Sequence, residues 1–212
     1  MNIKCAIFDF DGTLFDSMPV WKGLKFKFFE SLGITLTTQD KEIFSGLFLM
    51  DALPLAKNRF KLDESIECLY KLFWELLKNE YLKKALPKNN IISLLETLDN
   101  KGVKMGIATA TGEEAIIPLL KKYDMLKYFS SIYSTYTVNS PKSNPKIYDV
   151  VREELGFNKK DTWVFEDALY AAKTAKQNGY NVVGVYDPSE TQQKILKETV
   201  DVFINNYSEI NI

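Results

Sequence analysis

The sequence contains no histidine, and this absence restricts the chemistry that the chain can perform. Histidine has the side-chain pKa nearest to neutral pH and is the usual acid or base in enzymes. A Ser-His-Asp hydrolase and a zinc site with histidine ligands are therefore excluded. Carboxylates or lysines must carry any acid–base catalysis.

Cysteine is also scarce, with only Cys5 and Cys68 in the chain. They lie far apart and in no CxxC or metal-binding spacing, so we expect two buried, reduced thiols. No apolar run is long enough to span a membrane, and Asp9 comes too early for a secretory signal peptide. We therefore expect a cytoplasmic protein.

An excess of charge of one sign is missing as well, because the formal net charge is only -1. Such a balance does not favour binding to nucleic acid or to an acidic membrane surface. Small molecules are the expected partners, and we expect a monomer or a weak dimer. The length of 212 residues and the hydrophobic content of 46% allow one large domain or a domain with a small insert.

The first part of the chain is predicted to be helical. Apolar residues recur at helical spacing between Ser17, the expected cap of the first helix, and Gly33, its expected end. Further helices are expected after Thr38, from Asp51 and from Asp63. The helical pattern covers residues 17–86 and ends at a proline.

The rest of the chain alternates between strand and helix patterns, which predicts a parallel sheet. Pro118 falls inside one expected helix, so we expect a kink or a late start there. The predicted class is α/β, a doubly wound parallel sheet formed by residues 1–16 and 87–212, with 17–86 as a small all-helical insert. Its strands are predicted at 5–8, 103–108, 131–134, 162–165, 181–185 and 201–204.

The segment FDFDGT at 8–13 ends the first predicted strand with a catalytic turn. Asp9 and Asp11 lie on the same side of extended backbone, about 6 to 7 Å apart, so one can attack while the other transfers protons. Gly12 permits close approach to a ligand, and Thr13 offers a hydroxyl and an amide to an anion. The cluster is expected at the carboxyl edge of the sheet, where α/β proteins bind ligands.

The longer string FDFDGTLFDS resembles the opening motif of the haloacid dehalogenase superfamily of phosphohydrolases. The resemblance implies that Asp9 is the nucleophile and Asp11 the acid and base. The position of the helical insert matches the cap of the subgroup that contains phosphoglycolate phosphatase and β-phosphoglucomutase relatives. In that subgroup the cap determines the substrate and the core performs the chemistry.

The family's second motif is similar to the segment IATATG at 107–112. The resemblance implies that the Thr109 hydroxyl and the Ala110 amide bind phosphate oxygens. An alternative is that Thr109 or Thr111 simply caps the following helix. Helix N-termini also favour anions, so the two interpretations partly coincide.

The third motif is similar to the segment PKSNPKIY at 141–148. Lys142 aligns with the family's catalytic and phosphate-binding lysine. Ser143 and Lys146 depart from the usual residues, and an ordinary exposed lysine is the alternative. We expect a helix to begin at Pro145 just after this lysine.

The fourth motif is similar to the segment WVFED at 163–167. The resemblance implies that Asp167 is a metal ligand and that Glu166 supports it from outside. Ala168 replaces the usual serine, and acidic residues before a helix are also ordinary partners of its dipole.

A metal is expected on electrostatic grounds. Asp9 and Asp167 near a phosphate dianion would repel by about 4 kcal/mol per pair of unit charges at ~4 Å and an effective dielectric near 20. One lysine cannot cancel this repulsion, whereas Mg²⁺ prefers such oxygen ligands. The family supplies one further ligand, the backbone carbonyl at the position of Asp11.

The sequence thus predicts a Mg²⁺-dependent phosphatase that hydrolyses a small phosphomonoester through an aspartyl phosphate. Asp11 argues against a dehalogenase, whose halide leaving group needs no proton. A phosphomutase and a noncatalytic binding protein on the same fold are the alternatives.

Substrate choice is expected to involve the apolar segment around Leu47 and Phe48, with Trp21 as a further candidate. This segment aligns loosely with the family's specificity loop and contains no basic residue for a second phosphate. A leaving group with a partly apolar body is the hypothesis. The alternative is that these side chains only pack between helices.

Overall fold

The computed structural model describes residues 1–211. The strands in this part of the chain are β1 (Cys5–Phe8), β2 (Phe15–Asp16), β3 (Leu86–Pro87), β4 (Lys104–Thr109), β5 (Ser131–Ser134), β6 (Thr162–Glu166), β7 (Asn181–Val185) and β8 (Val202–Ile204).

The α-helices are α1 (Met18–Trp21), α2 (Leu24–Ser31), α3 (Thr38–Ser45), α4 (Leu49–Phe60), α5 (Ile66–Lys84), α6 (Ile91–Asn100), α7 (Glu113–Lys122), α8 (Lys146–Leu155), α9 (Leu169–Gln177) and α10 (Gln193–Thr199). Short 3₁₀ helices cover Leu126–Tyr128, Lys159–Asp161 and Tyr207–Glu209. None of the described helices is both long enough and apolar enough to cross a membrane.

Six strands form one parallel sheet in the order β5-β4-β1-β6-β7-β8. The central strand β1 is buried along its whole length, as the apolar run in the sequence predicts. Phe8 pairs with Ile107 of β4 on one side and with Phe165 of β6 on the other. This register brings the carboxyl ends of the three strands to the same edge.

Helices cover both faces of the sheet. Buried side chains of α6 and α7 share one apolar cluster with Phe8, and those of α8, α9 and α10 share a second cluster with Ile7. The structure therefore confirms the predicted doubly wound α/β class.

Helices α1 to α5 lie between β2 and β3, two short strands that pair antiparallel and bracket the helical segment. Their apolar side chains join the cluster that contains Phe8. The single helix predicted between Ser17 and Gly33 is wrong, because the chain breaks into α1 and α2 at Gly23, where φ is +78°. The predicted start at Asp63 is also early, since Ser65 caps α5 through a 3.1 Å bond from the Cys68 amide.

Three smaller expectations also need correction. Cys5 is buried, but Cys68 is exposed, because it faces away from the apolar stripe of α5. Helix α7 starts at Glu113 and continues through Pro118, so there is no late start. Helix α8 begins one residue after Pro145, and the Asn144 side chain accepts a 2.9 Å bond from the first helical amide.

Candidate active site

Three buried carboxylates meet at the carboxyl edge of β1 and β6. Asp9 follows β1, and its amide continues the strand pairing with a 2.9 Å bond to the Phe165 carbonyl. Glu166 ends β6 and Asp167 comes next. One carboxylate oxygen from each of Asp9, Glu166 and Asp167 lies within 4.8 Å of the other two. Asp9 and Glu166 thus share one cluster, although they lie 157 positions apart in sequence.

The turn after Asp9 holds the Asp167 carboxylate. Gly12 has a φ of +78°, and a Cβ placed there would lie 2.3 Å from Oδ2 of Asp167. Only glycine combines this backbone conformation with so close an approach. The Thr13 hydroxyl, which we expected to serve a bound anion, donates a 3.1 Å hydrogen bond to Oδ1 of Asp167. A phosphate-binding role for Gly12 and Thr13 stays a prediction.

Lys142 is buried, so the alternative of an ordinary exposed lysine is wrong for this residue. Its Nζ donates to Oδ1 of Asp9 and, at 2.5 Å, to Oε1 of Glu166. The Tyr148 hydroxyl donates to the same Glu166 oxygen at 2.9 Å. Lys146, by contrast, is exposed.

Burial and mutual repulsion control the charges in this cluster. Burial raises the pKa of Asp9 to about 7, with Glu166 and Asp11 adding to the increase and Lys142 opposing it. Burial, together with the charges of Asp9 and Glu166, also raises the pKa of Asp167 well above its ordinary value. Burial by itself would lower the pKa of Lys142, but Asp9 and Glu166 raise it, so this ammonium stays charged. One ammonium therefore faces three carboxylates.

The cluster fits a hard divalent cation. Oε2 of Glu166 is buried and has no hydrogen-bond partner, although such an atom normally has one. The converging groups are all carboxylate oxygens, which is the ligand type that Mg²⁺ prefers. A cation there, through one of the waters it carries, would give the unpartnered oxygen a partner, and its charge would reduce the repulsion among the carboxylates.

The second motif lies beside this cluster, at the end of β4. Thr109 is buried, and its Oγ1 accepts a 3.0 Å bond from the Thr111 amide. This bond closes a turn ahead of α7 and does not cap the helix, because α7 starts at Glu113, its N-cap is Gly112 and no side chain caps it, so the capping alternative is wrong. The bond uses the hydroxyl oxygen as acceptor, so the hydroxyl proton is left for another acceptor. Ala110 is exposed at the same edge.

Asp11 accepts hydrogen bonds from three hydroxyl groups. Ser17 Oγ lies 2.6 Å from its Oδ1, the Tyr81 hydroxyl donates to the same oxygen, and Thr111 Oγ1 lies 2.5 Å from Oδ2. The predicted cap Ser17 makes no capping bond to α1, because its hydroxyl is used here. Sequence reasoning missed Tyr81, whose spacing in α5 indicates only an apolar stripe.

The three candidates for substrate selection differ in exposure. Phe48 is 67% exposed, so the packing alternative is wrong for this residue. Its ring lies 6.4 Å, centroid to centroid, from that of Tyr170 in α9. Leu47 and Trp21 are half-buried and pack against the apolar cluster, and Trp21 Nε1 donates a 2.9 Å bond to the Tyr81 hydroxyl.

The sequence of this chain is similar to one family of hydrolases and to individual phosphatases. The model of the family described as "Haloacid dehalogenase-like hydrolase" matches residues 6–185. The phosphorylated carbohydrates phosphatase of Thermotoga maritima is 27% identical over 84% of this chain and 82% of its own length. The phosphoglycolate phosphatase of Salmonella typhi is 21% identical over 99% of this chain and 91% of its own.

The fold is also similar to that of a solved structure. A Thermotoga maritima protein assigned provisionally as a β-phosphoglucomutase superposes with a TM-score of 0.71 and is 25% identical. The match covers 95% of this chain and 94% of that protein.

Proposed function

Because the chain belongs to the haloacid dehalogenase-like hydrolases, we propose that it is a Mg²⁺-dependent phosphatase that hydrolyses a small phosphomonoester through a phosphoaspartate at Asp9. The expected resemblance to this family is confirmed, and the chain is an enzyme of the hydrolase type. The observation that carries the proposal is the buried cluster in which Asp9 lies beside Lys142, Glu166 and Asp167.

The first half-reaction transfers the phosphoryl group to the enzyme. A carboxylate oxygen of Asp9 attacks phosphorus, and the bond from phosphorus to the substrate alcohol oxygen breaks. Asp11 donates a proton to that oxygen, so a neutral alcohol leaves. Asp11 suits this role because it lies two residues from Asp9. Its carboxylate is held separately, by hydrogen bonds from the hydroxyl groups of Ser17 and Thr111.

The second half-reaction restores the enzyme. Asp11, now ionised, accepts a proton from a water molecule while the water oxygen attacks phosphorus. The bond from phosphorus to Asp9 breaks, and inorganic phosphate leaves. The same side chain thus serves as acid and then as base.

The side chains of Lys142 and Thr109 and the backbone amide of Ala110 bind the phosphate oxygens in this proposal, with the turn at Gly12 and Thr13 completing the site. Lys142 is already a buried cation next to Asp9, and the Thr109 hydroxyl has a proton to donate. Preorganised donors of this kind stabilise the charge that develops in the transition state.

Asp9, Asp167 and the backbone carbonyl of Asp11 would hold Mg²⁺, with Glu166 supporting it. The ion would neutralise negative charge on the phosphate and on the carboxylates, which lowers the barrier to attack by an anion. The unpartnered Oε2 of Glu166 supports this assignment.

Residues 17–86 form a cap in this proposal, and residues 1–16 and 87–212 form the catalytic core. Phe48, at the start of α4, faces Tyr170, which lies three residues after Asp167. Both rings are exposed, at 67% and 44%, and could contact an apolar or aromatic part of the leaving group. Leu47 and Trp21 would support this surface from inside the cap.

A screen of phosphomonoesters tests the proposal. The purified protein should release phosphate from at least one small phosphorylated metabolite in the presence of Mg²⁺, and excess chelator should stop the reaction. Asp167→Asn should raise the Mg²⁺ concentration needed for half-maximal activity several-fold, whereas Asp161→Asn, at a surface ion pair, should not. Full activity in excess chelator would contradict the metal assignment.

The phosphomutase alternative has a distinct outcome in the same screen. It would appear as isomerisation of a sugar phosphate that depends on a bisphosphate activator and releases little phosphate. The segment around Phe48 contains no basic side chain for a second phosphate, which favours the hydrolase.

A further inference from the structure

The three hydroxyl groups on Asp11 come from different parts of the fold. Ser17 precedes α1 and Thr111 precedes α7, whereas Tyr81 belongs to the last turn of α5, seventy residues from Asp11 in sequence. Ser17 and Tyr81 both donate to Oδ1, and Thr111 donates to Oδ2. Both carboxylate oxygens are therefore held in place.

A fourth residue determines the direction of the bond from Tyr81. Trp21 Nε1 donates to the Tyr81 hydroxyl oxygen at 2.9 Å, and an indole nitrogen can only donate. The hydroxyl oxygen is thus used as an acceptor toward Trp21, and its single proton is directed to Asp11. Tyr81 is fully buried, so packing holds its hydroxyl between these two partners.

We propose that Tyr81 is a positioning residue for the reaction. Held by the bond from Trp21, Tyr81 orients the Asp11 carboxyl toward the leaving group. This inference rests on the proposed phosphatase function. It means that the helical segment contributes to acid catalysis through a side chain that does not touch the substrate.

The physical reason is the freedom of an aspartate side chain. Its carboxyl group rotates about two torsions unless bonds to both oxygens restrict it. Without the Tyr81 hydroxyl, only Ser17 would hold Oδ1. A misplacement of about 1 Å at a catalytic group can cost ~10²-fold in rate, and an acid of this kind contributes about 10²- to 10⁴-fold.

The test compares two leaving groups in single turnovers. An alkyl phosphate found active in the screen needs a proton on its departing oxygen, whereas the nitrophenolate of p-nitrophenyl phosphate leaves without one. Tyr81→Phe should slow release of the alcohol at least tenfold, because a positioned acid contributes about 10²- to 10⁴-fold in rate. Release of nitrophenolate should slow less than threefold, because this leaving group needs no proton. Trp21→Phe should give a smaller effect in the same direction, because the hydroxyl remains but loses its orienting donor.

Tyr123→Phe is the matched control. Its hydroxyl donates to the Ala85 carbonyl at 3.2 Å and makes no contact with Asp11, so both rates should equal those of the wild type. Thermal unfolding of each variant checks the fold. If Tyr81→Phe fails to fold, Trp21→Phe decides the inference by the same comparison of leaving groups.

Two results would overturn the inference. Equal losses on both substrates would mean that Tyr81 only supports the fold, and no loss on either would mean that Ser17 and Thr111 suffice. If the wild type hydrolysed neither substrate, or if Asp9→Asn kept full activity, the proposed phosphatase function itself would fail. The two failures are therefore distinguishable.

Discussion

The Thr13 hydroxyl donates a 3.1 Å hydrogen bond to the Asp167 carboxylate, across a sequence separation of 154 residues. The bond joins the turn after β1 to the loop after β6. Because Gly12 lies against the same carboxylate, two neighbouring residues of the first motif fix the orientation of the acidic residue of the fourth. The proposed nucleophile and the proposed metal ligand are thus connected through this turn.

Gly12→Ala should weaken metal binding. The added Cβ would lie 2.3 Å from Oδ2 of Asp167, so the carboxylate must move. We expect the Mg²⁺ concentration for half-maximal activity to rise about tenfold or more, since loss of an outer contact to a metal ligand typically costs 10- to 100-fold. The measurement is a Mg²⁺ titration of phosphatase activity.

Gly179→Ala is the control for backbone strain. Gly179 also has a positive φ, +85°, but an added Cβ there would meet nothing within 4 Å. This variant should lose about 1 to 3 kcal/mol of stability from strain and keep the wild-type Mg²⁺ requirement. An unchanged Mg²⁺ requirement in Gly12→Ala would show that the contact with Asp167 is not needed.

Lys142→Met should strongly destabilise the metal-free protein. The side chain is 3% exposed and pairs with Asp9 and Glu166, and removing one partner of a buried ion pair costs about 3 to 5 kcal/mol. The loss should be smaller at pH 5 than at pH 8, because protonation of the remaining carboxyl groups relieves their repulsion. Denaturant unfolding in chelator measures both values.

An exposed lysine provides the comparison. Lys4 pairs with Asp161 at 3.0 Å, but its side chain is 54% exposed, so Lys4→Met should cost less than about 1 kcal/mol. Similar losses in the two variants would mean that the buried cluster is not held together by Lys142.

The parallel sheet could be predicted because buried strands appear in a sequence as short apolar runs. The strands at Cys5–Phe8 and Ser131–Ser134 have the predicted bounds. The break between α1 and α2 could not be predicted with the same ease, because Gly23 interrupts an apolar spacing that continues on both sides.

In the candidate site, too, one contact could be predicted from the sequence and another could not. The resemblance of four short motifs predicted that Asp9 and Lys142 would belong to one site, and the structure places their side chains in contact. Their catalytic roles stay predictions. The contact from Tyr81 to Asp11 depends on how α5 packs on the core, and no local pattern in the sequence encodes that packing.

Phe48→Ala should change substrate preference without a large change in stability. The ring is 67% exposed, so its truncation should cost less than about 1 kcal/mol, compared with 3 to 5 for a buried phenylalanine. We expect kcat/KM to fall more for substrates with an apolar or aromatic leaving group than for small polar ones.

Phe44→Ala is the matched comparison within the same segment, because Phe44 is fully buried. It should lose several kcal/mol of stability and affect all substrates alike. If Phe48→Ala lowers activity on every substrate by the same factor, Phe48 does not select the leaving group.

The central claim is that Asp9 carries the phosphoryl group during turnover. The most direct measurement is acid quenching of the enzyme during turnover of its best substrate, followed by peptide mass spectrometry. We predict one added phosphoryl group on the peptide that contains Asp9, present with Mg²⁺ and substrate and absent in Asp9→Asn. Turnover at the wild-type rate with no phosphoryl group on Asp9 at any quench time, or full activity of Asp9→Asn, would contradict the claim.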